Sequence, residues 1–335
     1  LTSRFLKQAL FIGKDGQIKI ENSHAVILGA GALGSAVSEM LVRAGIGKLT
    51  IIDRDYVEQS NLQRQQLYTE EDAAKKLPKA IAAEKRLKEI NSHTLIESIV
   101  EDINYHTVEK FIRGASILMD GTDNFETRMV INDAAIKHHI PFLFGACVGS
   151  YGLSYPVIGE HAPCLHCLIE KLPSQHITCD TAGVISPIVQ WVAAMQVSQA
   201  MQILAGKTVW PVLRSFDIWK MEYAEVNVAA LRNNSCPSCG DDADFPYLSA
   251  QKQTKAAVLC GRDAVHIRPP IFKELDLYGL SQRWKSLVEN LIANPYLVSF
   301  HYDGYRVILF KDGRAIIHGT SEVSMAKSIY TKLIG

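Results

Sequence analysis

His24-Ala25-Val26-Ile27-Leu28-Gly29-Ala30-Gly31-Ala32-Leu33-Gly34 is a short apolar, β-prone run that feeds directly into a glycine turn. Apolar residues at helical spacing follow at Val37, Met40, Leu41 and Ala44. Gly45 and Gly47 then stop the helix, and 49–52 reads as a second strand ending in Asp53. A strand, glycine turn, helix and strand with an acid at the far end form the nucleotide-binding unit of open α/β sheets. Glycines at 29, 31 and 34 let backbone N–H groups and a helix N-terminus approach phosphate oxygens with no Cβ in the way. Asp53 can accept hydrogen bonds from ribose hydroxyls. A turn that merely packs tightly is the alternative; the acid in register argues for a nucleotide.

Outward from this unit the alternation continues. A polar loop runs to Arg64, followed by a charged helix over 71–90, a strand over 95–100 and a helix over 106–112. A strand over 116–120, a helix over 126–138 and a strand over 142–147 come next. This order predicts a Rossmann-like, doubly wound, mainly parallel sheet covered on both faces. The strand over 151–158 follows a tight turn and extends the sheet in antiparallel fashion. Pro187 opens an apolar helix to about Leu204, and strands over 213–217 and 222–227 follow. Residues 240–244 form a short acidic linker, so 1–244 is expected as one domain and 245–335 as a small α+β module. That module reads as a strand, a helix near 281–291, a hairpin with Asp303-Gly304 and Asp312-Gly313 turns, and a last helix.

With 335 residues, 47% of them hydrophobic, the chain can bury a large core, and a formal net charge of zero gives no electrostatic case for nucleic acid or an anionic membrane. No apolar run reaches the length of a spanning helix, so a soluble, cytoplasmic protein is expected. Seven cysteines, an odd number, fit a reducing compartment better than a disulfide framework. Four of them form two C-x-x-C pairs, Cys164/Cys167 and Cys236/Cys239. That spacing lets both thiolates of a pair reach one tetrahedral ion, so a Zn2+ site is expected, with unrelated buried or bonded cysteines as the alternative. His161 and His166 flank the first pair; with four thiolates at hand they read as neighbours of the metal rather than ligands.

Beyond Asp53, Ser60-Asn61-Leu62-Gln63-Arg64 and Lys79, which follows Pro78 at the start of a helix, offer two cations and two amides to a triphosphate. Arg grips phosphate bidentately and Lys supplies a point charge, which suits charge building on a leaving pyrophosphate. Asp120-Gly121-Thr122-Asp123-Asn124 ends a strand at its carboxyl edge, where ligands of open sheets bind. Asp123 is placed there to hold Mg2+, or else to cap the following helix. A nicotinamide-dependent oxidoreductase with a structural zinc would use the same glycine turn and Asp53, but it gives Arg64, Lys79 and Asp123 no task.

Taken together, the glycine turn, Asp53-Arg54-Asp55, Ser60-Asn61-Leu62-Gln63-Arg64, Pro78-Lys79, Thr122-Asp123-Asn124 and the cysteine pairs make the chain resemble a known enzyme family. These are the bacterial adenylyltransferases that activate ubiquitin-like sulfur carriers in the molybdopterin and thiazole (thiamine) pathways, relatives of the ubiquitin-activating enzymes. The resemblance covers about residues 4 to 240. It implies ATP bound at Ala32, Asp53, Asn61, Arg64, Lys79 and Asp123, with Gly29, Gly31, Gly34, Asp55, Gln63 and Asn124 lining the same site. It also implies a structural zinc on four cysteines and a homodimer. The reaction it implies is Mg2+-assisted adenylation of the C-terminal Gly-Gly carboxylate of a ubiquitin-like carrier, with release of pyrophosphate. A cysteine desulfurase or other sulfurtransferase would then supply sulfur for a thiocarboxylate. The molybdopterin carrier is slightly favoured over the thiazole carrier.

Two positions depart from the family pattern. Ala32 replaces a usual glycine, and Lys7 stands where the family commonly has an Arg that reaches into the neighbouring subunit's ATP site. Lys keeps the charge but loses the fork, so Lys7 or Arg4 would act there. Cys179 matches a family cysteine implicated in acyl or persulfide transfer. A nearby helix N-terminus favours its thiolate while Asp180 opposes it, and an inert loop thiol is the alternative. Cys147 reads as core and Cys260 has no assigned role.

Overall fold

The computed structural model describes residues 3–159, 162–169, 182–249, 256–259, 263–267 and 274–334. These fall into two compact units. Residues 3–70, 78–159, 162–169 and 183–249 make up the first; 71–77, 182 and the described residues from 256 onward belong to the second.

In the first unit, helices α1 (Leu6–Ile12) and α2 (Lys14–Glu21) precede β1 (His24–Leu28). From Ala25 onward β1 is buried without alternation, as a parallel strand covered on both faces must be. It lies between β2 (Lys48–Ile52) and β4 (Ile117–Asp120), both parallel to it. With β3 (Leu95–Ile99), β5 (Phe142–Val148), β6 (Tyr151–Val157), β7 (Val212–Asp217) and β8 (Glu222–Asn227), the sheet is eight-stranded in the order β3-β2-β1-β4-β5-β6-β7-β8. Pairing is parallel from β3 to β5 and antiparallel from there to β8, so the mainly parallel sheet with an antiparallel extension is what forms. Helix α3 (Ala32–Ala44) follows β1 and ends at Gly45, whose φ of 87° is left-handed and whose N–H turns back to the carbonyls of Leu41 and Val42.

The sequence predicts one helix over 71–90, and the structure breaks it in two. α4 (Glu70–Ala74) ends before Lys76, at φ 50°, and α5 (Lys79–Ile90) starts after Pro78. Proline lacks an N–H and pushes its predecessor out of the helical region, so the helix cannot run through. The helix predicted over 106–112 is shorter, α6 (Val108–Phe111). α7 (Phe125–Lys137) and α8 (Leu165–Ile169) pack on the sheet face that carries Val26, Leu28, Leu118, Phe142 and Tyr155. On the other face, Ile27 meets α3 at Gly34, and α9 (Ser186–Leu204) packs on α3, β5 and β6. Each large side chain removed from water on these faces contributes about 1.5–3 kcal/mol.

The second unit is built on a six-stranded antiparallel sheet, where the sequence suggested a strand and a hairpin. β9 (Ala256–Leu259), β10 (Ala264–Ile267), β11 (Glu289–Ala293), β12 (Leu297–Tyr302), β13 (Tyr305–Phe310) and β14 (Ala315–His318) are ordered β11-β12-β13-β14-β10-β9. Asp303 and Gly304 both have positive φ, 52° and 81°, as a two-residue hairpin turn requires. The helix predicted near 281–291 lies earlier, as α10 (Leu277–Trp284), because Asp276 caps it by accepting from the Gly279 N–H. Residues 289–293 are instead strand β11, whose pairing with β12 outweighs local helical pattern. α11 (Val323–Ile334) closes the chain, with Ala326 and Ile329 on the core of Val265, Phe300, Val307 and Leu309. No helix among the described residues is long and apolar enough to cross a membrane.

Candidate functional site

Backbone contact explains three of the strand-end glycines. A Cβ on Gly34 would lie 1.8 Å from the Gly29 carbonyl oxygen, one on Gly121 would lie 2.1 Å from the same atom, and Gly29 has φ 95°. The turns that end β1 and β4 therefore touch through bare backbone. Gly31 differs, because the nearest atom to its Cβ position is the Gly121 oxygen at 3.6 Å. The protein's own packing does not demand glycine there, and the open space suits a ligand. Gly31 is the N-cap of α3 and no side chain caps that end, so first-turn N–H groups and the positive helix end face the turn. Ala32, half-buried, is the first helical residue and its methyl is accommodated.

Asp53 ties this turn to β2. Its Oδ2 accepts from the Ala30 N–H at 2.6 Å and its Oδ1 from the Asp55 N–H at 2.6 Å. Burial pushes the Asp53 pKa up, while nearby Lys79 pulls it back. The break at Pro78 makes Lys79 the first residue of α5. Its N–H donates to the Asp55 carbonyl at 2.9 Å, and its buried Nζ lies 3.5 Å from Asp55 Oδ2. Arg54 donates to Asp102 Oδ1 at 2.9 Å and lies 3.8 Å from Asp55 Oδ1. Burial works to lower the Arg54 pKa, but the carboxylates of Asp102, Asp55 and Asp123 outweigh it and hold the guanidinium charged. Asp53, Asp55, Lys79 and the field of Asp123 are thus brought together, with two further members: Arg54, which stands in the Asp53-Arg54-Asp55 motif without an assigned role, and Asp102, which no motif marks. A cation between two acids in Asp53-Arg54-Asp55 was the available signal.

The other candidates take varied places. Asn61 is buried and its Oδ1 accepts from the Glu58 N–H at 3.2 Å. Arg64 is half-buried and folds back on its own turn, donating to the Ser60 carbonyl at 3.0 Å. Gln63 is exposed, with Nε2 3.4 Å from the Val184 carbonyl. Lys7 is exposed on α1, which docks at the far end of α3: Gln8 donates to the Ala44 carbonyl at 2.8 Å. α3 is about 20 Å long, so Lys7 does not join the glycine turn of its own chain. Cys179, His161 and Cys260 lie outside the described residues.

At the end of β4 the choice of helix cap is resolved. Asn124, not Asp123, caps α7, accepting from the Thr127 N–H at 2.9 Å. Asp123 is exposed and accepts from Asn124 Nδ2 at 3.3 Å. The loop is anchored by Asp120, which opens the strand-end stretch 120–124 but has no role assigned from sequence, and by Arg128 and Gln196, which carry no motif signature.

The four cysteines converge. All four Sγ atoms lie within 4.8 Å of one another, with Cys164 to Cys236 at 3.8 Å and Cys167 to Cys239 at 3.5 Å. With metal–sulfur bonds of about 2.3 Å, the edge of a tetrahedron is about 3.8 Å, so this donor set fits a closed tetrahedral site. α7 holds both halves: Asn132 Oδ1 accepts from the Leu165 N–H at 2.8 Å, and Asp133 Oδ2 accepts from the Tyr247 N–H at 2.9 Å. His166 is not a member of the cluster; its Nδ1 lies 2.9 Å from Ser238 Oγ. Cys147 lies half-buried on β5, outside the cluster.

Comparison with known proteins matches the ThiF family model over residues 4–238. A sulfur carrier protein ThiS adenylyltransferase of Bacillus subtilis is 55% identical over a 337-residue alignment that spans all of both chains. The molybdopterin-synthase adenylyltransferase of Escherichia coli is 31% identical, over 71% of this chain and 96% of its own. Among solved structures, Escherichia coli MccB with ATP superposes with a TM-score of 0.61 at 21% identity, over 72% of this chain and 75% of that one, which bears on the fold alone. The chain belongs to the ThiF family and is a nucleotidyltransferase of the sulfur-carrier adenylyltransferase type.

Proposed function

We propose that this enzyme adenylates the C-terminal glycine carboxylate of a ubiquitin-like sulfur carrier of the thiazole (thiamine) pathway, using ATP and releasing pyrophosphate. The observation that carries the choice of carrier is the name of the relative that matches the whole chain at 55% identity, the Bacillus subtilis protein named for ThiS. Partial matches do not separate the carriers, since Escherichia coli relatives named for ThiS and for molybdopterin synthase both match 71% of the chain. The slight lean to molybdopterin in the sequence finds no such support, and none of the relatives above carries an oxidoreductase name.

A terminal carboxylate has a pKa of about 3.3–3.7 and is ionised at neutral pH, so its attack needs no general base. A carboxylate oxygen bonds to the α-phosphorus as the bond to the bridging oxygen of pyrophosphate breaks. Gly31 and the N-terminus of α3 would receive phosphate oxygens, and Asp53 the ribose. Lys79 and Arg64 would neutralise the leaving pyrophosphate, with Asn61 and Gln63 orienting it. Mg2+, held by Asp123, would supply further charge on the phosphates. Zn2+ on Cys164, Cys167, Cys236 and Cys239 would serve structure, since four thiolates leave no open position. In a homodimer, Lys7 or Arg4 would act on the partner's nucleotide. Cys179 would take the acyl group from the carrier acyl-adenylate with release of AMP, or take the terminal sulfur of a sulfurtransferase persulfide, leaving the donor cysteine as a thiol. ATP–pyrophosphate exchange with purified thiazole-type and molybdopterin-type carriers, side by side, tests the reading: exchange should depend on the thiazole carrier. Exchange with the molybdopterin carrier alone would reverse the assignment.

A further inference from the structure

β4 and β5 pair only through Leu118 with Phe142 and Met119 with Leu143, then part. The groups left open where they part are taken up by two side chains. Gln196 of α9 donates from Nε2 to the carbonyls of Asp120, at 3.0 Å, and Leu143, at 2.8 Å. Arg128 of α7, 6% exposed, donates from Nε to Asp120 Oδ2 at 3.0 Å, and from Nη2 to the carbonyls of Thr122, at 2.8 Å, and Gly145, at 3.1 Å. The rings of Phe125 and Phe144 lie 5.5 and 5.2 Å from its guanidinium carbon. The other oxygen of Asp120 accepts from Thr122 N–H at 2.9 Å and from its Oγ1 at 2.7 Å.

The N–H, hydroxyl and carbonyl of Thr122 are thereby all held, and Asn124 is held as the helix cap. Asp123 is the exposed residue between these two fixed neighbours. Buried ion pairs give little net stability over an apolar replacement, so the loop geometry is what the Arg128–Asp120 pair most directly determines. We propose that Arg128 is a positioning residue for adenylation: through Asp120 and the Thr122 carbonyl it sets the direction in which Asp123 presents its carboxylate, without touching the nucleotide. This rests on the reading of Asp123 as the Mg2+-holding residue.

Arg128→Lys keeps the charge beside Asp120 and loses the planar fork that reaches three acceptors. In the full chain, carrier-dependent ATP–pyrophosphate exchange measured against Mg2+ and ATP should show kcat lowered about ten- to hundredfold, the scale of a small misplacement. The half-saturating Mg2+ concentration should rise at least about threefold, with the KM for ATP little changed, because the glycine turn and Asp53 are untouched. A purely structural loss would lower the folded fraction without moving the Mg2+ dependence. Thr122→Val removes one hydroxyl bond to Asp120 and should move Mg2+ dependence in the same direction by less; if Arg128→Lys does not fold, this variant decides. Asp123→Asn separates the two readings. Wild-type exchange in Asp123→Asn overturns the Asp123 assignment. Lost exchange in Asp123→Asn beside wild-type kcat and Mg2+ dependence in folded Arg128→Lys, or in Thr122→Val if that variant must decide, overturns the positioning role.

Discussion

The glycine turn and the four-cysteine cluster both gather their working atoms to within a few ångströms, by opposite means. Residues 29–34 are neighbours in sequence, and their geometry is imposed by backbone contacts so close that a single methyl cannot enter, as at Gly34. The cysteine pairs are 72 residues apart, and tertiary packing alone crowds their thiols together around one point. The turn is held by contacts between its own backbone atoms, whereas the cluster is a donor set that fits a tetrahedral metal. Damage to the turn should therefore be read in nucleotide binding and local packing, and damage to the cluster in global stability.

The largest effect expected is that of metal removal. Chelation, or Cys236→Ser, should lower the stability of the first unit by at least about 4 kcal/mol, the linkage value for a site filled a thousandfold above its dissociation constant. Calorimetry with metal analysis checks it, and a well-folded, metal-free chain of unchanged Tm would break the contrast. Next is Gly34→Ala, whose Cβ would lie 1.8 Å from a backbone oxygen that cannot move aside. Urea denaturation should show a loss of about 3 kcal/mol. Gly31→Ala, three residues away with 3.6 Å to its nearest neighbour, should change stability by less than about 1 kcal/mol and weaken ATP binding instead. Equal stability losses at the two positions would show that neither glycine is kept for the ligand.

Asp123→Ala should leave Tm almost unchanged, since the side chain is exposed, yet lower exchange at least a hundredfold, about 2.7 kcal/mol of transition-state stabilisation. The smallest effect is expected at Arg64→Ala, about tenfold in rate, or 1.4 kcal/mol. A larger loss there than at Asp123 would move the main charge stabilisation from the end of β4 to the Ser60–Arg64 turn.

The glycine turn was legible because everything that defines it is local: an apolar run, three glycines, a change to helical spacing and an acid at the next strand end. The cysteine pairs were legible because C-x-x-C spacing reports ligand geometry directly. What was hidden depends on tertiary partners. Arg128 and Gln196 look like ordinary helix residues until the parting of β4 and β5 gives them carbonyls to satisfy. Asp123 and Asn124 are equally good caps by composition, and only the fold selects Asn124. The charged pattern over 71–90 runs on through Pro78, whereas the Pro78-Lys79 pair marks the helix start that forms, and that break is what delivers Lys79 to Asp55. In the second unit, β11 carries no alternation strong enough to declare itself, and its pairing with β12 decides its state.

Activation of a protein carboxylate at the carboxyl edge of the parallel sheet leaves a covalent trace on the carrier. Intact-mass analysis of a thiazole-type carrier incubated with the enzyme, ATP and Mg2+ reads that trace. An AMP adduct should appear on the terminal glycine and be absent when that glycine is deleted or when Asp123→Ala replaces the wild type. An unmodified carrier with active, metal-loaded enzyme, or an adduct that persists without the terminal glycine, would contradict activation at that carboxylate.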